Sequence, residues 1–156
     1  MMTLSFKTAA ATDLETLISI RIAAMKESLE NIGRFNPERA RERFASNFAP
    51  EKTTLILKEN EIIGFYVLFA KDDYLWLDHL YIDPTVQSSG VGAKAMMQIV
   101  DKSSEKKLPV KLCALKESRA NNFYKKHGFK LTHSEEWDNY YTRPYLEESF
   151  SLRNHT

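Results

Sequence analysis

Apolar residues recur every three to four positions from Leu14 onward. Leu14, Ile18, Ile22, Met25 and Leu29 fall on one face and predict a helix over residues 13–30. Thr12 and Glu15 at its start have the spacing of a capping box, and residues 4–7 ahead of it read as a short strand. Asn36-Pro37, an N-cap followed by a first-turn proline, predicts a second helix whose inner side carries Phe44 and Phe48. Strands follow over 53–58 and 62–70, joined by a hairpin turn at Glu59-Asn60-Glu61. Gly64 inside the second of them predicts a bulge or a close backbone approach. Lys71-Asp72-Asp73 turns the chain into an apolar strand over 74–82, which ends at Asp83-Pro84. Gly92, Met96, Ile99 and Val100 then form an apolar stripe opposite Lys94, Gln98 and Asp101, predicting a helix over 93–101. Pro109 closes a polar loop before a short buried strand over 110–115. The last helix is predicted over 118–127, with Ala120, Phe123, Tyr124 and His127 on one face and Gly128 as its C-terminal cap. Two strands, 129–134 and 140–145, close the chain. The order β-α-α-β-β-β-α-β-α-β-β predicts a mixed sheet with helices on both faces, an α/β or layered α+β fold.

Composition narrows the function classes. A chain of 156 residues that is 43% hydrophobic fits one domain, expected to span 1–156. Its 22 basic and 21 acidic residues are interspersed, so neither a nucleic-acid stripe nor a charged tail is expected. No apolar run approaches the ~20 residues of a membrane helix, and the N-terminal residues lack the pattern of a signal peptide. The single cysteine, Cys113, cannot form an internal disulfide, which makes the cytoplasm the expected compartment. Within its apolar strand it reads as a small buried residue.

The candidate chemistry begins at Gln87-Ser88-Ser89-Gly90-Val91-Gly92, between the 74–82 strand and the helix after it. A glycine-bearing turn into a helix start gathers free backbone N–H groups and the positive end of the helix dipole. Gly90 and Gly92 lack side chains, so a diphosphate could come close to that backbone. Taken alone, the run reads equally well as a tight turn.

Three segments together change that. The run Leu80-Tyr81-Ile82-Asp83-Pro84 is similar to a family strand pattern Leu-x-Val-x-Pro. Gln87-x-x-Gly90-x-Gly92 matches a pyrophosphate motif Gln/Arg-x-x-Gly-x-Gly/Ala, and Ala120-x-x-Phe123-Tyr124-x-x-x-Gly128-Phe129 looks like a second conserved block. In this order and spacing the chain resembles the GNAT superfamily of acetyl-CoA-dependent N-acetyltransferases, from Leu4 to Tyr145. It departs from the family at Glu117, where an Asn often helps hold the pantetheine arm, and Asn121 is the candidate substitute. Ser88 and Ser89 leave the backbone cradle intact but bring no positive side chain.

The resemblance implies a mostly antiparallel sheet of about six to seven strands with about four helices, and acetyl-CoA as co-substrate with no metal. It implies that Gln87, Ser88, Ser89, Gly90, Val91 and Gly92 bind the diphosphate, and that Leu80, Tyr81 and Ile82 pair with the pantetheine amides. An N–H near Leu80 would polarise the thioester carbonyl. A primary amine is mostly protonated at neutral pH, so transfer to it needs a base. Strand alternation puts Trp76, Asp78 and Leu80 on one side and Leu75, Leu77, His79 and Tyr81 on the other. The family places its base at the positions of Trp76 and Asp78, which makes Asp78 the first candidate, with His79 and a water chain still open. Tyr124 is expected to protonate the departing thiolate, while Lys125 and Lys126 read as a solvated face.

The acceptor, a small-molecule or peptide amine, is not specified. Arg21, Glu27, Glu30, Trp137, Tyr140 and Tyr141 are candidates for its pocket, and the resemblance admits a homodimer. The competing readings are a non-catalytic acyl-CoA-binding or sensor domain, and a nucleotide-binding domain of another fold.

Overall fold

The computed structural model describes residues 3–86 and 90–145, and the chain forms seven strands and four α-helices. In chain order these are β1 (Leu4–Thr8), α1 (Leu14–Asn31), α2 (Pro37–Ser46), β2 (Thr53–Lys58), β3 (Glu61–Ala70), β4 (Leu75–Ile82), α3 (Val91–Lys106), β5 (Val110–Leu115), α4 (Ala120–Lys126), β6 (Lys130–Ser134) and β7 (Asp138–Arg143). The strands are hydrogen-bonded in the order β1-β2-β3-β4-β5-β7-β6. Of the pairs with a described register, only β4 with β5 is parallel. The chain gathers into two compact units, residues up to 68 with 78–92, and residues 69–77 with those from 93 onward.

In the first unit α1 buries Leu17, Ile18 and Ile20, while Leu14, Ile22, Met25 and Leu29 are half-buried. The entry to α1 corrects the expected Thr12–Glu15 capping box. A single 3-10 turn over Ala11–Asp13 precedes the helix, and the Asp13 carboxylate accepts from Ala10 N at 2.8 Å. Glu15 instead pairs with Arg41 through two 2.6 Å hydrogen bonds that tie α1 to α2. Asn36 caps α2 as expected, its Oδ1 accepting from Arg39 N at 3.1 Å ahead of Pro37. The β2–β3 hairpin turns on Glu59 and Asn60, both with positive φ, a geometry whose twist matches that of the flanking strands.

Gly64 meets both expectations placed on it. The β2–β3 register slips between Ile56 and Leu57, opposite Gly64 and Ile62, so the strand bulges there. A Cβ at Gly64 would also stand 2.6 Å from the Tyr81 carbonyl oxygen and 2.9 Å from Ile82 Cδ1. Only glycine lets β3 and β4 come this close, beside a 2.8 Å hydrogen bond from Asp83 N to Ile63 O. Gly64→Ala should therefore destabilise the protein by about 1–3 kcal/mol through overpacking. Thermal unfolding should show the midpoint falling by roughly 2–4 °C per kcal/mol.

In the second unit Val110, Leu112 and Ala114 of β5 alternate into the core. Cys113 points the other way, opposite Tyr140 on β7, and is half-buried rather than buried as expected. Helix α3 runs five residues past its predicted end. Its buried stripe is Val91, Ala95, Met96, Ile99 and Ser103, which places Val100 beside the stripe. Ser103 is a polar residue that hides from hydropathy because its hydroxyl donates to Leu108 O. Ser118 Oγ accepts from Ala120 N at the start of α4, and Gly128, with φ +91°, ends that helix.

Candidate functional site

All of one candidate region lies in the first unit, on β4 and the chain that follows it. Alternation along β4 turns His79 and Tyr81 toward the α1–α2 side. There His79 sits 5.3 Å from the Phe44 ring and 5.6 Å from Tyr81, and Phe65 stacks at 5.6–6.5 Å against the three. The Tyr81 hydroxyl donates to Met25 Sδ at 3.3 Å. Although Asp78 and His79 alternate in direction, their side chains meet, with His79 Nε2 3.3 Å from Asp78 Oδ2. The carboxylate is 37% exposed and the imidazole 18%.

Burial pushes the His79 imidazole down to about 4; the Asp78 charge opposes this and the Arg21 guanidinium adds to it. His79 is therefore neutral near pH 7. Its Nδ1 and the Nε of Arg21 are buried without a hydrogen-bond partner. Arg21 spans from Ala40 O, to which Nη1 donates at 3.1 Å, to the Phe44 ring, 5.9 Å below its guanidinium.

Neutral burial has a stability consequence of definite sign. The unfolded chain takes up a proton at an imidazole pKa near 6.5, and the folded chain only near 4. The contribution is thus fully present above pH 6.5 and lost as pH falls to about 4. Comparing denaturant unfolding of the wild type and His79→Gln at pH 7 and pH 4 should show the wild type losing more, by on the order of 3 kcal/mol.

Beside these groups the end of α2 and strands β2–β4 enclose a small recess, lined by Phe44, Asn47, Phe48, Thr53, Asp78 and His79 among others. The sequence pattern missed it. Phe44 and Phe48, four apart, read as one helical stripe, but α2 stops at Ser46 and Phe48 lies beyond it, its ring 5.8 Å from that of Phe44. The spacing of the two rings was a visible signal; the helix end that turns them into a wall was not.

Downstream, Gln87, Ser88 and Ser89 lie outside the described residues. Gly90 has φ +81°, which favours glycine, and a Cβ there would meet nothing within 4 Å. Helix α3 begins immediately after, at Val91, so the first-turn amides of Val91 and Gly92 lack intrahelical acceptors. Leu80, Tyr81 and Ile82 are half-buried.

The second unit holds the remaining candidates. Tyr124 is buried on α4, with its ring edge-on to Phe123 and Phe129 at 5.5 Å. Asn121, also buried, donates from Nδ2 to the carbonyls of Leu115 (2.7 Å) and Ser118 (2.8 Å) and lies 3.3 Å from that of Lys116. Its Oδ1 accepts from the Tyr141 hydroxyl at 2.8 Å and Asn139 Nδ2 at 3.1 Å. The side chain thus binds its own fold on both ends, and Tyr141, 1% exposed, belongs to that core. Tyr140 stacks on His133 at 4.4 Å, Trp137 is 40% exposed, and Glu117 is exposed. In the first unit Glu27 and Glu30 are exposed on α1. Among the described residues no cluster of His, Cys, Asp and Glu could hold a metal ion, and no helix is long and apolar enough to cross a membrane.

Residues 50–131, just over half the chain, match the model of a family described as an acetyltransferase (GNAT) domain. No curated protein sequence matches the chain. Among solved structures, it is similar to the PaiA N-acetyltransferase of Thermoplasma acidophilum, determined in complex with coenzyme A. That match has 20% identity and a TM-score of 0.78 over 92% of this chain and all of that one. The ribosomal-protein-S18-alanine N-acetyltransferase of Escherichia coli gives 16% identity and a TM-score of 0.71 over 92% and 94%. The apo form of YjaB from Escherichia coli gives 21% and 0.71 over 93% and 99%. At these identities the likeness is one of fold.

Proposed function

The chain belongs to the acetyltransferase (GNAT) family, and from that premise we propose that it moves an acetyl group from acetyl-CoA to a primary amine by direct attack in a ternary complex. One observation carries the reading. A single stretch of β4 joins a carboxylate beside an aromatic recess, at Asp78, to the backbone of Leu80, Tyr81 and Ile82. The chain then turns at Asp83 and Pro84 toward Gly90 and the N-terminus of α3.

The residues present suit the co-substrate. The open space at Gly90 leaves room for a diphosphate beside the first-turn amides of α3. The thioester would supply an activated acyl carbon. The backbone of Leu80, Tyr81 and Ile82 would pair with the pantetheine amides, and an N–H near Leu80 would donate to the acyl oxygen. Asp78 would accept the proton of the attacking amine. His79, neutral and too weakly basic to retain that proton, would instead hold the carboxylate in place from 3.3 Å. Tyr124 would donate its phenolic proton to the departing thiolate. Asn121, spent on its own fold, would support α4 rather than contact the pantetheine.

Two measurements test this reading. Desulfo-CoA should displace acetyl-CoA far better than ADP does in a calorimetric competition, and equal displacement would point to a generic nucleotide site. Tyr124→Phe should lower kcat about 100-fold with little change in acetyl-CoA affinity, since only the donated proton is lost.

A further inference from the structure

The acceptor side of the reaction has its own geometry in the recess at the end of α2. Its volume is about 10 Å³, room for one water-sized group. Two aromatic rings, Phe44 and Phe48, and one carboxylate, Asp78, line it. A compact cation is the group that such a wall takes up. The ring faces attract positive charge and the carboxylate neutralises it. The other titratable group on the wall, His79, carries no charge of its own near pH 7. The nearest fixed cation is Arg21, whose guanidinium already occupies the Phe44 ring at 5.9 Å and is anchored to Ala40 O. A second ammonium on the same molecule, arriving beside Phe44, would meet that charge.

We propose that this recess seats the acceptor's reacting ammonium. We infer further that it selects a primary amine on an unbranched alkyl stem with no second cation a few carbons away. The proposal rests on the acetyl-transfer reading above. Size excludes the branched α-carbon of an α-amino acid or a peptide N-terminus, because the recess accepts one small group and its walls are packed. Charge excludes diamines and polyamines, because Asp78 balances one positive charge and Arg21 repels the next. A lysine-type side chain or a simple alkylamine satisfies both conditions.

Three amines of matched size read the two conditions separately, with CoA release from acetyl-CoA as the signal. Butylamine should be used with kcat/KM at least 10-fold above sec-butylamine, which adds the branch, and above 1,4-diaminobutane, which adds the charge. Two variants then locate the effect. Phe48→Leu keeps an apolar wall but removes a π face, and should raise the KM for butylamine several-fold. Asn47→Lys adds a cation at the exposed rim, where the C-terminal end of α2 tolerates positive charge, and should raise it 10-fold or more. Neither should move the KM for acetyl-CoA. Equal use of the three amines, or an unchanged butylamine KM in both variants, overturns the proposal and leaves acetyl transfer standing. Acetyl-CoA binding without CoA release on any amine overturns both.

Discussion

Asp78→Asn should lower kcat/KM for the amine by about 100- to 1,000-fold while acetyl-CoA still binds with its original affinity. The substitution is nearly isosteric, and the side chain is 37% exposed, so the fold should bear it. What changes is the ability to take a proton. The amide has no basic site, and the neutral imidazole beside it, pushed down to about 4 by burial, cannot substitute. A residue that only packed would lose activity through KM or stability. A base loses kcat and the acidic limb of the pH–rate profile, because that limb records its own protonation. Asp78→Glu should restore part of the rate. If Asp78→Asn turned over like the wild type, the base would lie elsewhere, and His79→Gln should then show the loss instead.

The largest effect on stability should come from Asn121→Ala. That side chain satisfies the carbonyls of Leu115 and Ser118 and the hydroxyl of Tyr141, whose residue is 1% exposed. Truncation strands all three, at about 1–3 kcal/mol for each buried group left without a partner. Partial relaxation should leave a net loss of roughly 3–5 kcal/mol, measured by chemical denaturation. Removing the stranded hydroxyl as well, in Asn121→Ala/Tyr141→Phe, should recover part of it. A double-mutant cycle with no coupling between the two positions would show that the 2.8 Å contact contributes nothing.

Much of this fold was legible because its elements carry strong local signals. The 110–115 strand is bounded by Pro109 and fits its observed extent, and Gly64 signalled both the bulge and the close approach of β4. Local signals failed where a polar residue found an internal partner. Ser103 sits in the buried stripe of α3, so periodicity ended that helix too early. At the start of α1, Thr12 and Glu15 had the right spacing, but Asp13 reached Ala10 first and Glu15 found Arg41 across 26 positions. The candidate site divides in the same way. The turn at Gly90 was legible from its glycine, and Asp78 from strand alternation. The burial that keeps His79 neutral comes from rings on other elements, and the recess from the point where α2 stops. Neither is encoded in a window of neighbouring residues. Asn121 was singled out as a ligand contact because its type suits one, yet only its five partners reveal how it is used.

The most direct measurement of the central claim is thiol release. Purified protein is mixed with acetyl-CoA and butylamine, free CoA is titrated with a thiol reagent, and the amine is weighed by mass spectrometry. Acetyl transfer predicts CoA and N-acetylbutylamine in equal amounts, both dependent on the protein and both suppressed by Asp78→Asn. Tight binding of acetyl-CoA, with neither CoA nor acetylated amine formed across a broad panel of primary amines, would contradict it.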